Sequence, residues 1–342
     1  MCSFHLELDR AQEESAKKDS IGTTRKGIGP GYVDLSSRLG LRCGDLLEDQ
    51  GTLTNKVRKV VAWHNVWRKN YGLTPLSVAD IMQELNTLRP LIARYGQDGV
   101  SQRLTTACAE GKKVLLEGAQ GVLLDLTWGH PPFVTSCSTG AAAASLGTGV
   151  PPHALRHVWA VAKAYATRVG EGPFLTEMLE EDGRTTKLHQ LIRQKGGEYG
   201  ATTGRPRRVG YLDLVALKEA VQRHGVNGLV LTKIDVLDGV DKIPVCVGYR
   251  DPDTHRVVTY IPASLAAYKR LKPIYKTLDG WRAPTHNLQS FDALPPEAQA
   301  FVKFIEDFCG QKVRMVKTGP TREACIMITH PWQHEKGKEM RA

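Results

Sequence analysis

The run Gly228-Leu-Val-Leu-Thr-Lys-Ile-Asp235 constrains this chain more than any other stretch. A short apolar run that turns abruptly polar reads as a central parallel strand, buried on both faces and ending in a polar tip. Such a strand needs cover above and below, and its surroundings supply it. Residues 212–224 and 295–309 carry helical spacing, and strands are expected at 158–166, 243–249, 256–261, 312–317 and 323–328. Val114-Leu-Leu116 reads as one more brief buried strand. Upstream, Leu6–Lys18, 52–70, 77–95 and 102–110 read as helices, with Ser77 a candidate N-cap. Alternating strands and helices place the chain in the α/β class: a mainly parallel central sheet with flanking helices. The organisation expected is one domain over 1–342, with a helical subdomain at 45–110 and a charged, frayed tail at His334–Ala342.

In open α/β sheets ligands gather beyond the carboxyl ends of the strands, so the polar loops there carry the chemistry. Gly200-Ala-Thr-Thr-Gly-Arg-Pro-Arg-Arg208 reads as an anion clamp, with threonine hydroxyls, glycine-freed amides and the forks of Arg205, Arg207 and Arg208. An ordinary solvated basic loop is the alternative. In Thr232-Lys-Ile-Asp235 the carboxylate can accept from the ring N–H and the exocyclic amine of guanine, while the lysine stem covers the base. As a lone tetrapeptide it could equally be a common strand flank. Ile21-Gly-Thr-Thr-Arg-Lys-Gly-Ile-Gly-Pro30 has the density of glycine, threonine and base of a phosphate nest built from backbone amides, or of a surface loop. Glu117-Gly-Ala-Gln-Gly121 and Lys317-Thr-Gly-Pro320 also end strands, with tight turns as the default reading.

The formal net charge of +10 fits a site for several small anions better than a nucleic-acid surface, because basic residues cluster with Gly and Thr and no aromatics interleave them. Seven scattered cysteines without a CxxC pair argue against disulfides and zinc, and place the chain in the reducing cytoplasm. No HExxH exists, so no metal site is expected within the chain; Mg2+ would arrive with nucleotide phosphates. No membrane partner is expected.

The runs IGTTRKGIGP, LLEGAQGVLLD, FVTS, EYGATTGRPRRVGYLD and LTKIDVLDG, in this order over residues 5–328, closely resemble the adenylosuccinate synthetase family. The resemblance implies a P-loop-NTPase-like fold and a homodimeric, Mg2+-dependent ligase that joins L-aspartate to IMP at the expense of GTP. It implies that Thr24, Arg38, Gln120, Thr135 and Arg205 bind IMP, Arg38 from a neighbouring subunit, with Gln120 supporting catalysis beside the reacting oxygen. Ala201, Thr202, Thr203, Gly204 and Arg205 would hold aspartate. Arg207, Lys233, Ile234, Asp235, Lys317, Thr318 and Gly319 would hold GTP.

Departures accompany the match. The family's GDEGKGK-type phosphate loop with its catalytic aspartate, and its HNAGHT-type loop with its catalytic histidine, are not found here. The expectation is therefore that the family's base and acid lie upstream of Met1, which leaves a fold lacking its N-terminal segment and an inactive chain. Gly129-His-Pro-Pro132 stands where Gly-Thr-Tyr-Pro is usual, and Lys317 where Ser or Gly is common. Three other readings stay open: a phage-type ligase acting on a guanine nucleotide, a GTP-binding switch protein, and a non-catalytic nucleotide-binding subunit.

Overall fold

The computed structural model describes residues 1–180, 183–200 and 204–330. The expectations for Ala201, Thr202, Thr203 and the 334–342 tail therefore lie outside the described residues. In chain order the elements are α1 (Ser3–Ala16), α2 (Ile28–Ser36), α3 (Gln50–Asn70), α4 (Val78–Tyr95), α5 (Val100–Ala109) and α6 (Ala142–Thr148). There follow β1 (Trp159–Lys163), β2 (Ala166–Arg168), α7 (Lys187–Lys195), β3 (Arg208–Gly210), β4 (Leu212–Asp213), α8 (Leu214–Arg223) and β5 (Gly228–Thr232). The last are β6 (Lys242–Arg250), β7 (Val257–Val258), α9 (Leu265–Arg270), β8 (Lys272–Asp279), α10 (Pro296–Cys309), β9 (Val313–Lys317) and β10 (Cys325–Met327).

The central sheet runs β1-β5-β9-β10, with β5 parallel to both neighbours and β10 antiparallel to β9. As the sequence pattern requires, Gly228–Leu231 of β5 is buried on both faces. Helix α10 covers it for a legible reason. Pro295 and Pro296 open the helix, Gly310 (φ +69°) ends it, and Ala298, Phe301, Val302, Ile305 and Cys309 fall on one buried stripe. That stripe joins Leu229, Leu231, Val316 and Trp281 in the main core. A second, largely antiparallel sheet brings β4, β7 and β8 onto β6, and β2 pairs with β3.

A second apolar cluster joins α3 and α4 with Cys2 and Phe4 of the α1 start, outside the 45–110 range. Asp49 caps α3 through Gly51 and Thr52, and Ser77 caps α4 through Asp80 at 3.0 Å.

Three expectations need correction. Val114–Leu116 is not a strand; Leu115 is 82% exposed. An apolar triplet becomes a strand only against a backbone edge that accepts its hydrogen bonds, and no described strand pairs with it. The outer edge of β1 likewise has no partner among the described residues, and Val161 is 73% exposed. Second, the glycine-rich 21–31 stretch is a loop only as far as Gly27 (φ +73°), from which α2 begins; Pro30 sits in its first turn, where an N–H lacks a helical partner anyway. Third, α7 and β8 carried no clear signal. Of α7 only His189 and Ile192 are buried, and β8 is interrupted by lysines as an edge strand is.

Replacing Phe301 by Ala is expected to destabilise the fold by about 3–5 kcal/mol through the cavity left under β5. Urea unfolding checks this: the midpoint should fall with the slope unchanged.

Candidate active site

The tips of the parallel strands lie side by side. Leu231 of β5 is in register with Val316 of β9, so Lys233–Asp235 and Lys317–Gly319 leave the sheet as neighbours. Lys233 takes a left-handed backbone (φ +66°), and its Nζ donates to the Gly196 carbonyl at 2.9 Å. Ile234 is fully buried and anchors the turn, while Asp235 is half-buried. Asp238, three residues on, accepts from Trp281 Nε1 at 2.7 Å and from Thr285 N and Oγ1 at 2.9 and 2.8 Å. It thereby folds the 281–288 segment over the tips. Thr318 closes the other side: its hydroxyl donates to Leu288 O at 2.9 Å and its carbonyl accepts from Asn287 N at 3.1 Å. Only glycine fits at 319, because a Cβ would come within 2.9 Å of Ala324 and 3.0 Å of the His286 ring. Lys317 Nζ donates to the Thr321 carbonyl and so closes its own turn.

The clamp hangs from a neck rather than from the sheet directly. Tyr199 bridges Pro206, Gly200 N donates to Arg205 O at 2.8 Å, and Gly204 N donates to Gly200 O at 2.7 Å. Below the neck, buried Glu198 accepts from Lys163 Nζ at 2.7 Å, Tyr165 Oη at 2.6 Å and Arg207 Nη1 at 2.8 Å. Burial alone would raise the Glu198 carboxyl, but these donors hold it below the usual carboxylate range. The three arginines divide their work. Arg205 is exposed. Arg208 forms a fork with Glu177 at 2.9 and 2.5 Å and donates to Gly172 O, so it braces the loop and is not a clamp donor.

The turn at 170–172 gathers the remaining loops. Glu171 N donates to Ile21 O, and Gly170 lies against Gly22. Arg168 donates to Glu171 O at 2.9 Å and Phe133 O at 3.2 Å. Ile21 and Gly22, Phe133 and Arg208 at the base of the clamp thus meet at this turn. Arg38 (φ +63°) lies past the end of α2 and takes no part in these contacts. Gln120 (φ +63°) is exposed. Lys233, Arg38 and Gln120 share this costly left-handed backbone with Lys17, Arg25, His255 and Asn287, so it does not by itself mark the site.

The backbone-amide phosphate nest expected at 21–30 is not formed. Glu13 accepts from Ile21, Gly22 and Thr23 N at 3.1, 3.0 and 3.2 Å, and Asp9 accepts from Gly27 N at 2.8 Å and Thr23 Oγ1 at 3.0 Å. Two carboxylates of α1 occupy the donors that a phosphate would take, and in return their own buried charge is solvated. Thr24 stays exposed. Asp125 does the same for the 121–139 loop, accepting from Thr127 N, Trp128 N, Ser138 Oγ and Thr139 N at 2.8, 3.1, 2.8 and 2.7 Å. These bonds outweigh burial and hold its carboxyl at about 2. Thr135 N donates to Leu124 O beside it. The sequence departure His130 is locked in place, stacked on Tyr268 at 4.7 Å and bonded to Pro262 O. Asp9, Glu13, Asp125, Glu198 and Asp238 are missed by reasoning about ligand donors because they bind the protein's own loops. Acidic residues flanking basic, glycine-rich runs were the available signal.

Among the described residues one cluster, His5, Asp34 and His64, has the spacing to hold a metal ion. His5 Nε2 and His64 Nε2 lie 2.9 and 2.8 Å from the same Asp34 oxygen. Cys2 N donates to His5 Nδ1 at 3.0 Å, which leaves the His5 proton on Nε2, pointing at Asp34. A nitrogen carrying that proton is a donor and not a ligand, so the cluster is a structural hydrogen-bond bridge between α1, α2 and α3.

Residues 1–326 match the family model described as adenylosuccinate synthetase. Adenylosuccinate synthetase of Neisseria meningitidis serogroup C (strain 053442) is 42% identical over 330 residues, 96% of this chain and 74% of that protein. The Neisseria gonorrhoeae (strain ATCC 700825 / FA 1090) enzyme is 43% identical over 332 residues, with the same coverage. The structure of fully ligated adenylosuccinate synthetase from Plasmodium falciparum superposes with a TM-score of 0.86 at 32% identity, covering 94% of this chain and 74% of that one.

These matches show the family but do not bear out the expectation about the start of the chain. A catalytic segment lost upstream of Met1 finds no support in the family match over residues 1–326. Met1 is itself packed into the fold at one end of its side chain: its thioether sits where a Cβ on Gly31 of α2 would have to go, 2.5 Å away, although the residue is 59% exposed overall. Immediately after it, buried Cys2 and Phe4 join the cluster of α3 and α4. Apolar contacts hold this end of the chain.

Asp34 supplies an acid-stability prediction. Burial opposes its charge, but the two histidines hold its carboxyl at about 2, below an unfolded aspartate near 3.9. A lowered folded-state pKa gives stability that is complete above about pH 4 and lost as pH falls towards 2. Asp34→Asn is expected to flatten that acid limb in unfolding experiments between about pH 5 and 2, at a lower overall stability.

Proposed function

The chain belongs to the adenylosuccinate synthetase family and is a ligase, and on that premise we propose that it joins L-aspartate to IMP with GTP as energy donor, in the AMP branch of purine synthesis. The chemistry is phosphoryl transfer from GTP to the purine carbonyl oxygen, followed by displacement of that phosphate by the aspartate amine. Such a reaction depends on positioning and charge stabilisation.

The observation that carries this reading is the adjacency of Lys233–Asp235 and Lys317–Gly319 at the carboxyl ends of β5 and β9, with the clamp neck tied to the same tips. Asp235 reads the guanine edge, Lys233 covers the base, and Ile234, Thr318 and Gly319 wall the pocket with Lys317. Arg207 meets the GTP phosphates. Thr24, Gln120, Thr135 and Arg205 hold IMP, and Arg38 serves the neighbouring subunit of a homodimer. Ala201–Arg205 closes on the aspartate carboxylates. The seven free thiols favour a reducing, cytoplasmic setting. The whole forms one synthetase domain over 1–342, with 45–110 as its helical subdomain.

Magnesium takes oxygen ligands, and the His5–Asp34–His64 cluster offers two imidazole nitrogens and a single carboxylate. That donor set does not fit, so Mg2+ is assigned to the phosphates of GTP and no step is routed through a protein-held ion. The family match lends no support to inactivity. No base or acid is assigned to a residue of this chain.

Asp235→Asn tests the guanine reader. Loss of two charge-assisted hydrogen bonds, each worth roughly 1.5–3 kcal/mol, is expected to weaken GTP at least about tenfold while improving xanthosine triphosphate. Calorimetry with both nucleotides measures this, and unchanged GTP affinity would remove the assignment. With IMP, aspartate, GTP and Mg2+ supplied together, phosphate release should match adenylosuccinate formed. GTP binding without turnover would instead mark a non-catalytic nucleotide-binding protein.

A further inference from the structure

Glu198 is 1% exposed, yet it faces two cations and a phenol from three parts of the chain. Lys163 comes from the tip of β1, Tyr165 from the segment after it, and Arg207 from the clamp. Arg207 is held twice, since its backbone N also donates to Glu198 O at 2.9 Å. Two residues before Glu198, the Gly196 carbonyl accepts from Lys233 Nζ at 2.9 Å. One short segment, 196–198, therefore touches both the guanine reader and the clamp.

The charge balance is uneven. Lys163 and Arg207 share the Oε2 atom of one carboxylate, at 2.7 and 2.8 Å. The ammonium of Lys163 is held below its usual range, first by burial and then by the nearby charges of Arg207 and Lys233, against the pull of Glu198. Lys163, Arg207 and nearby Lys233 outnumber Glu198 and Asp235, which leaves a positive surplus at the strand tips, the field an oligophosphate meets. Without Glu198 these cations would repel one another and Arg207 would lose both its direction and its reason to stay.

We propose that Glu198 is a positioning residue for nucleotide binding, fixing the guanidinium of Arg207 at the phosphates and tying the clamp to the Lys233 turn. This rests on the GTP reading of the site given above. Glu198 does not itself touch the ligand, because its two oxygens already serve three protein donors.

The test uses the full chain and calorimetric titration with GTP and, separately, with IMP. Glu198→Gln keeps the shape and removes the charge; it should weaken GTP about tenfold and leave IMP within about twofold, since charge-assisted hydrogen bonds are about twice as strong as neutral ones. Glu198→Asp, which keeps the charge but withdraws the carboxylate by one methylene, should recover part of the loss. In combination with Arg207→Ala, Glu198→Gln should add nothing further, because its effect passes through that arginine. Equal weakening of GTP and IMP, or losses that add in full, would overturn the proposal and make Glu198 a fold-stabilising residue only. Should Glu198→Gln fail to fold, the cycle is run with Glu198→Asp and Arg207→Ala: non-additive loss supports the proposal and full additivity overturns it. If the unmodified chain binds no GTP, the functional reading falls and the role of Glu198 with it; GTP binding with additive variants sinks the Glu198 proposal alone.

Discussion

Buried carboxylates hold the loops of this protein, and the rest of the site depends on them. Glu198, Asp125, Asp9, Glu13 and Asp34, joined by half-buried Asp238, each accept two or more hydrogen bonds from other parts of the chain. A carboxylate leaves water only when donors replace its hydration, and the donors here are backbone amides, histidines, lysine and arginine. The penalty is asymmetric. An intact set contributes modestly to net stability, whereas removing its centre leaves several donors buried without partners. Loops rich in glycine, which would otherwise sample many conformations, are thereby held in one.

This arrangement reconciles two demands that pull apart. The proposed site for three anionic ligands needs an excess of positive charge at the strand tips, and positive charges left to themselves repel. Placing single carboxylates beneath pairs of cations keeps the cations together without cancelling them. Glu198 under Lys163 and Arg207 is the clearest case, with both cations on one oxygen. Arg208 is the contrary case: its fork is matched to Glu177, so its charge is used up in bracing the loop. Adjacent arginines in one motif thus do different things, and only their partners tell them apart.

Much of the fold was legible because it rests on local periodicity. The stripe of α10, the capped starts of α3 and α4, and the all-apolar β5 each follow from residues within one element. The failures share a cause. Val114–Leu116 is apolar enough for a strand, but strandhood is a property of a pair of edges, and the second edge is not encoded in the triplet. The 21–30 loop has the composition of a phosphate nest, but its amides had already been taken by Glu13 and Asp9, one helix away.

What the amino-acid sequence determined unaided was the class of the sheet, the polar character of its tips and the family motifs along the chain. Each depends on neighbouring residues, whose spacing fixes which side faces the core. Tertiary structure alone decided which donors remain for a ligand and which are bound internally. That choice is made by side chains such as Glu198 and Lys163, 35 positions apart, meeting through space, where a buried charge must find its partners.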